Sequence, residues 1–290
     1  MRRGWLTHKP KGHIMAKTQH TEKVTPTCLI TGASAGIGAA IAREYAARGW
    51  NLALVARRED PMVALATELK ASYGTTSHIF TADLFDVDAT KDLMVRINNK
   101  GIQIDGLVNN AGYGHPGPYL DSPWEDHSKF IQLMLTAPCE LARAVLPDMK
   151  ARGFGRVINV ASLAGHLPGS NGHTLYAAVK SFLIKFSESL SMELSGTGVN
   201  VSALCPGFTY SEFHDVNGTR DGVSKLPDWM WMEAQECAEM AVEACERGRA
   251  VFIPGGANKS IAALAKILPG TVAQNLMAKN SNKIRKGTKS

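Results

Sequence analysis

Tyr176 and Lys180 stand four residues apart in the run Tyr-Ala-Ala-Val-Lys. On a helix that spacing puts a phenol and an ammonium on one face. A free phenol has a pKa of about 10 and is a poor acid at neutral pH, but a nearby cation favours phenolate and lowers that value. Tyr176 so placed can hand a proton to a carbonyl oxygen while a hydride reaches the carbonyl carbon. Ser162 directly follows the apolar run RVINVA (156–161), and its hydroxyl can hydrogen-bond the same oxygen. Taken alone, Y-x-x-x-K is common on surface helices and means little. It needs a hydride source beside it.

Such a source is indicated nearer the N-terminus. TGASAGIG, Thr31 to Gly38, lies between a β-rich apolar run and a helical period. Gly32, Gly36 and Gly38 let the backbone turn tightly and approach a pyrophosphate. The start of the following helix offers free N–H groups and the positive end of its dipole to that anion. Ser34 and Ile37 complete the turn as candidate cofactor contacts. After the second strand the chain reads Val55-Ala56-Arg57-Arg58, with no carboxylate until Glu59. An acid there would bind a ribose 2′-hydroxyl, whereas a guanidinium accommodates a 2′-phosphate. NADP(H) is therefore the expected dinucleotide, selected by Arg57 and Arg58.

A scaffold must position these groups, and hydrophobic periodicity supplies one. TCLIT (27–31), NLALVA (51–56), SHIFTA (77–82), GLVN (106–109), RVINVA (156–161), VNVSALC (199–205) and AVFIP (250–254) read as strands. Ile37, Ile41 and Tyr45 recur at helical spacing up to Gly49. A second helix is expected to open with Asp60 as its N-cap and Pro61 in its first turn, and to close at Gly74. Further helices are expected near 88–98, 123–151, 174–195 and 233–247. Ser122 to Glu125 has the form of a capping box, and Pro138 is expected to kink the helix that follows. Apolar strands alternating with helices require a parallel sheet covered on both faces. The expected fold is α/β, a single-domain doubly wound Rossmann sheet of about seven strands. It spans 24–275, between a disordered basic extension (1–23) and a basic tail (276–290). The segment 208–232 reads as a lid. Its aromatic and methionine content suits either an apolar substrate or packing within the lid itself.

Composition excludes several classes. The chain has 290 residues, 44% hydrophobic and 20% charged, so it can bury a sizeable core. The net charge of +6 sits at the ends, since 1–21 and 279–290 each carry five Lys/Arg and no carboxylate. The body between has 22 basic against 26 acidic residues, so nucleic acid is not an expected partner of it. No apolar run is long enough to span a bilayer, and no membrane partner is expected. Five cysteines without CxxC spacing point to a reducing, cytoplasmic setting, with neither a disulfide framework nor a zinc site. No His, Asp and Glu set has metal-ligand spacing. His115, His166 and His173 fall in loops beside the presumed site and are candidate substrate contacts.

Together these motifs resemble the short-chain dehydrogenase/reductase family. The resemblance covers about residues 27–255 and rests on TGASAGIG, Asp83-Leu84, Asn109-Asn110-Ala111-Gly112, Ser162, YAAVK and Pro206-Gly207 in that order. It implies that Tyr176 is the acid/base and Ser162 orients the substrate carbonyl. Lys180 would tune Tyr176 and bind the nicotinamide ribose. Asp83, with Leu84 beside it, would meet the adenine. Asn109, Asn110, Ala111 and Gly112 would line the cofactor cleft, and Pro206, Gly207 and Thr209 would flank the nicotinamide, with Thr209 touching its carboxamide. The NADP-type carbonyl and 3-oxoacyl reductase branch is the nearest in pattern, which implies a small apolar carbonyl or alcohol substrate. The helices around 123–151 and 174–195 would form a homodimer or homotetramer. One position departs. The family usually carries an Asn in a stretch like N-L-T-G that holds a water for proton relay, and here the stretch is Met134-Leu135-Thr136-Ala137. A thioether cannot donate a hydrogen bond. A slower enzyme, a relay rebuilt through backbone carbonyl and water, and a protein altered at this position all stay open, and the departure keeps alive a second reading of the whole chain as a dinucleotide-binding sensor or scaffold.

Overall fold

In the computed structural model, residues 25–114, 117–169, 171–172, 174–210 and 227–275 are described. The chain runs β1 (Thr27–Thr31), α1 (Gly36–Ala47), β2 (Asn51–Ala56), α2 (Glu59–Tyr73), β3 (Ser77–Thr81), α3 (Ala89–Asn99) and β4 (Gly106–Asn109). There follow α4 (Trp124–Ile131), a π turn (Gln132–Thr136), α5 (Ala137–Arg152), β5 (Gly155–Val160), α6 (Thr174–Glu193) and β6 (Val199–Leu204). The last described elements are β7 (Phe208–Tyr210), β8 (Trp231–Glu233), α7 (Ala234–Glu246), β9 (Val251–Phe252) and α8 (Gly256–Ile267).

Side chains alternate across a strand, and here both faces are buried. In β1, Cys28 and Ile30 enter one core and Leu29 the other; in β2, Leu52 and Leu54 oppose Ala53 and Val55. The first core is closed by Ile41 and Tyr45 of α1, Leu65 and Leu69 of α2, and Val242 of α7. The second is closed by Leu93 and Ile97 of α3, Leu141 and Val145 of α5, and Phe186 of α6. Each such Leu or Ile contributes about 1.5–3 kcal/mol by leaving water, which is why the central strands read as unbroken apolar runs. The seven strands are parallel, in the order β3-β2-β1-β4-β5-β6-β9. This is the expected doubly wound single domain. The order reverses between β1 and β4, and it is outside the carboxyl ends of strands at such a reversal that doubly wound folds bind ligands.

Several local expectations are corrected. Helix α2 starts at Glu59 with Arg58 at the cap, so Asp60 is not the N-cap. Glu59 and Asp60 both occupy the first turn, where carboxylates suit the helix dipole. Helix α4 begins at Trp124 with Pro123 rather than Ser122 at the capping position. The stretch 124–152 is helical throughout, and what disturbs it is a π turn through which α4 passes into α5 just before Pro138. Pro138 would crowd the carbonyl four residues back in an unbroken α-helix. The wider turn, in which the N–H of Ala137 donates to Gln132 O, accommodates it. The pattern also missed a parallel ribbon: β7 pairs with β8, tying together the two ends of the segment expected to be a lid. Residues 211–226 of that segment, His115, His173, the N-terminal extension and the C-terminal tail lie outside the described residues. Among the described residues no helix is long and apolar enough to cross a membrane.

Candidate active site

The glycine turn is sewn to the loop after β4. Thr31 Oγ1 accepts the backbone N–H groups of Asn110 and Ala111, each at 3.0 Å. Asn110 Nδ2 donates to the carbonyls of Thr31 at 3.0 Å and Gly32 at 3.1 Å. Asn110 thus braces the turn with its side chain. Gly32 has φ +66, a left-handed value that favours glycine. Gly38 lets α1 press onto the turn, since a Cβ there would stand 2.4 Å from both Gly32 O and Asn110 Nδ2. At the start of α1, Ala35 caps with no side chain and the first turn holds no acid. Its leading N–H groups are left to an anion, so the cradle fits a dinucleotide pyrophosphate.

The expected phosphate-selecting residues gather beside that turn. Arg58 Nη2 donates to Ser34 Oγ at 3.3 Å. The Arg57 guanidinium lies over the ring of Phe85, 5.2 Å from its centroid. Phe85 is held in turn by its N–H, which donates to Asp83 Oδ1 at 3.2 Å, and by an edge contact with Tyr113 at 5.7 Å. Leu84 is buried next to them. Asn109 points elsewhere. Its Nδ2 donates to Pro138 O at 3.2 Å and to Asn159 Oδ1 at 2.8 Å, and Asn159 Nδ2 donates to Ser187 Oγ at 2.9 Å. Asn109 therefore ties β4 to β5, α5 and α6 inside the core, and its side chain does not line the cleft.

Ser162, Tyr176 and Lys180 are brought together as expected. Ser162 sits just past β5, and its Oγ accepts the N–H of Ala164 at 3.1 Å, opening a 3₁₀ turn (Leu163–His166). Tyr176, in the first turn of α6, is hydrogen-bonded to the Ser162 side chain. Lys180 follows one turn on; its Nζ donates to Val160 O at 2.6 Å and lies 5.6 Å from the centre of the Tyr176 ring. The electrostatics differ from expectation. Burial pushes the Tyr176 phenol up to about 12, with the Ser162 hydrogen bond pulling the other way. Burial also lowers the Lys180 ammonium to about 8. Desolvation sets the direction here, and the Lys180 cation is directed at the Val160 carbonyl. At neutral pH Tyr176 is a protonated phenol, a proton donor as it stands.

Met134 lies in the π turn, 2% exposed, in an apolar cluster with Phe130 and Val179 that Tyr113, Leu175 and Tyr176 pack against. A Cβ on Gly112 would meet its Sδ at 2.6 Å, so the thioether fills the space between the Gly112 loop and α6. Beyond β6, Pro206 O accepts the N–H of Leu163 at 2.8 Å, and Thr209 is buried in β7. His166 ends the Ser162 turn; burial, and Lys266 after it, lower its imidazole pKa. Among the described residues there is no cluster able to hold a metal, and all five cysteines are free thiols. Sequence reasoning missed Phe85, Asn159 and Ser187. Only a hydrogen-bonding or ring contact reached through the fold marks them, whereas Thr31 stood in view at the head of the glycine run.

The sequence pattern of the family described as short chain dehydrogenase matches residues 26–221. A short chain dehydrogenase of Pseudocercospora fijiensis is 38% identical over 192 residues, covering 64% of this chain and 60% of that protein. The chain thus matches less than two thirds of that relative's length. Among solved structures, a short-chain dehydrogenase from Sphingobium yanoikuyae in complex with NADPH superposes with a TM-score of 0.73 at 32% identity, covering 84% of this chain and 96% of that one. A bulky-bulky ketone specific alcohol dehydrogenase from Comamonas testosteroni gives a TM-score of 0.69 at 30% identity, covering 84% and 95%.

Proposed function

The chain belongs to the short-chain dehydrogenase family, and from that premise we propose that it reduces a ketone or aldehyde to an alcohol, reversibly, with NADPH. The observation that carries this reading is the joined trio of Ser162, Tyr176 and Lys180 at the carboxyl end of β5. NADPH, when bound, supplies the hydride. The turn from Gly32 to Gly38 would hold its pyrophosphate, Ser34, Arg57 and Arg58 its 2′-phosphate, and Asp83 its adenine. Lys180 would hold its nicotinamide ribose and Thr209 its carboxamide. The NADPH in the Sphingobium relative supports the same choice of nucleotide.

The residues then divide the proton chemistry. The hydroxyls of Ser162 and Tyr176 donate to the substrate carbonyl oxygen and orient it. As negative charge develops on that oxygen, the Tyr176 O–H bond breaks and its proton passes across; assistance of this kind is worth about 10²–10⁴-fold. Lys180, while protonated, stabilises the phenolate left behind. The apolar cluster around Met134 beside Tyr176 suits an apolar substrate. The groove between α5 and α6, lined by Leu146, Phe186 and Leu190, supports pairing of these helices in a homodimer or homotetramer.

Met134 favours one rival reading, a dinucleotide-binding sensor, because an apolar side chain fills the place of the family's relay amide. NADPH oxidation measured across a panel of ketones and aldehydes separates the two. Turnover of any member supports the reductase. Tight NADPH binding with no turnover across the panel supports the sensor.

A further inference from the structure

The buried face of α6 is not uniformly apolar. It consists of Val179, Lys180, Leu183, Ile184 and Ser187. Its polar members, Lys180 and Ser187, lie about two turns apart on one stripe, and both bond to neighbouring residues of β5. The Lys180 ammonium donates to Val160 O at 2.6 Å, and Asn159 Nδ2 donates to Ser187 Oγ at 2.9 Å. The first bond belongs to the site already described. The second lies next to it in the strand and touches no reacting group.

That second bond is one link of a line. Asn159 Oδ1 accepts from Asn109 Nδ2 at 2.8 Å, and Asn109 Nδ2 also reaches Pro138 O at 3.2 Å. At the other end Ser187 Oγ donates to Leu183 O at 2.7 Å. The line thus joins α5, β4, β5 and α6. Asn159 and Ser187 are fully buried and Asn109 nearly so, and Asn109 Oδ1 has no partner among the described residues. Burying amides and a hydroxyl gains little over apolar groups of the same shape. Directional bonds add a fixed register, because apolar contacts tolerate sliding and hydrogen bonds do not.

We propose that Asn159 and Ser187 are positioning residues for Lys180, setting the height of α6 against β5 so that Val160 O meets the ammonium. The inference rests on the reading of Lys180 as the partner of Tyr176 in carbonyl reduction. Pairing of β5 with β4 ends at Asn109 and Asn159, one residue short of Val160, which is flanked by β6 alone. The side-chain line starts from that last pair and supplies the missing hold from the α6 side. Tyr176 of α6 and Cys205 beyond β6 are the titratable groups facing the ammonium. If the line is cut, α6 shifts along β5 and the ammonium loses its acceptor while burial still opposes its charge.

Titration of Lys180 in the full-length chain tests this without any substrate. The ¹³Cε resonance of Lys180 in lysine-labelled protein is assigned by its loss in Lys180→Met. In Ser187→Ala its midpoint should fall about 1 pH unit or more below the wild-type value, the scale of a lost hydrogen bond to a charged group. Ser187→Thr keeps the hydroxyl and should restore the midpoint. Ile97→Val, a core change on α3 away from the line, should lower the melting temperature and leave the midpoint unmoved. With a carbonyl that the wild type reduces, kcat of Ser187→Ala should fall about tenfold or more, with the carbonyl KM little changed. An unmoved or raised midpoint in Ser187→Ala overturns the inference. So does a fall that Ser187→Thr fails to restore, or one that Ile97→Val reproduces, since lost packing rather than the lost hydroxyl is then the cause. If the wild type reduces no carbonyl, the reductase reading fails by itself, and the Lys180 midpoint still decides the positioning.

Discussion

Gly38→Ala tests the phosphate cradle with a single methyl group. The added Cβ would lie 2.4 Å from Gly32 O and from Asn110 Nδ2, where ordinary contact begins at 3.4 Å. The amide cannot swing aside without giving up its bonds to the Thr31 and Gly32 carbonyls. The Gly32 oxygen is backbone and has nowhere to go. Helix α1 must therefore retreat from the turn by about 1 Å, and a misplacement of that size costs about 10²-fold in well-positioned sites. Titration of NADPH fluorescence should show affinity weakened about 10- to 100-fold, with a lower melting temperature from overpacking of about 1–3 kcal/mol. Gly256→Ala is the matched control, since a Cβ there meets nothing within 4 Å, and its NADPH affinity should be unchanged. If Gly38→Ala binds NADPH as tightly as the wild type, the turn is not the pyrophosphate seat and the cofactor assignment fails.

Arg57→Ala should raise the KM for NADPH about tenfold or more through loss of a charge-assisted contact, with little change for NADH. Phe85→Leu should act in the same direction but only about two- to fivefold, the scale of an exposed cation–π contact; parallel KM measurements with both nucleotides check the pair. Lys180, lowered to about 8 by burial, makes carbonyl reduction level below that pH and declining above it, which a kcat profile reads directly. Stability runs the opposite way: the cost of burying the ammonium is fully present below about 8 and is lost as pH rises toward 10.5. Lys180→Met should therefore melt higher than wild type at low pH, with the gap closing across that window. Met134→Asn should raise turnover of a slow reductase while costing about 2–5 kcal/mol of stability through lost packing, seen by combining steady-state rates with thermal melts.

Strand positions and the glycine turn were legible because each carries its own local signal. Cys28, Leu29 and Ile30 read as buried on both faces, and TGASAGIG follows them directly. The trio of Ser162, Tyr176 and Lys180 was legible through helical spacing and position after a strand. Other features depend on contacts the order of residues does not announce. Asn109 looked like a cleft residue until its bonds to Pro138 and Asn159 turned it inward. The rise of the Tyr176 pKa follows from burial, which spacing cannot report, so the cation four residues on suggested the wrong sign. Pro138 announced a disturbance correctly, but whether a kink or a π turn resolves it depends on how α4 and α5 pack. The β7–β8 ribbon is three residues per strand, too short for a period to show.

Tyr176→Phe removes one oxygen from the centre of the account. With a carbonyl that the wild type reduces, NADPH oxidation at saturating nucleotide should fall about 10²–10⁴-fold, while fluorescence titration shows NADPH still bound. Retention of wild-type turnover by the phenylalanine variant would contradict the claim that this phenol delivers the proton.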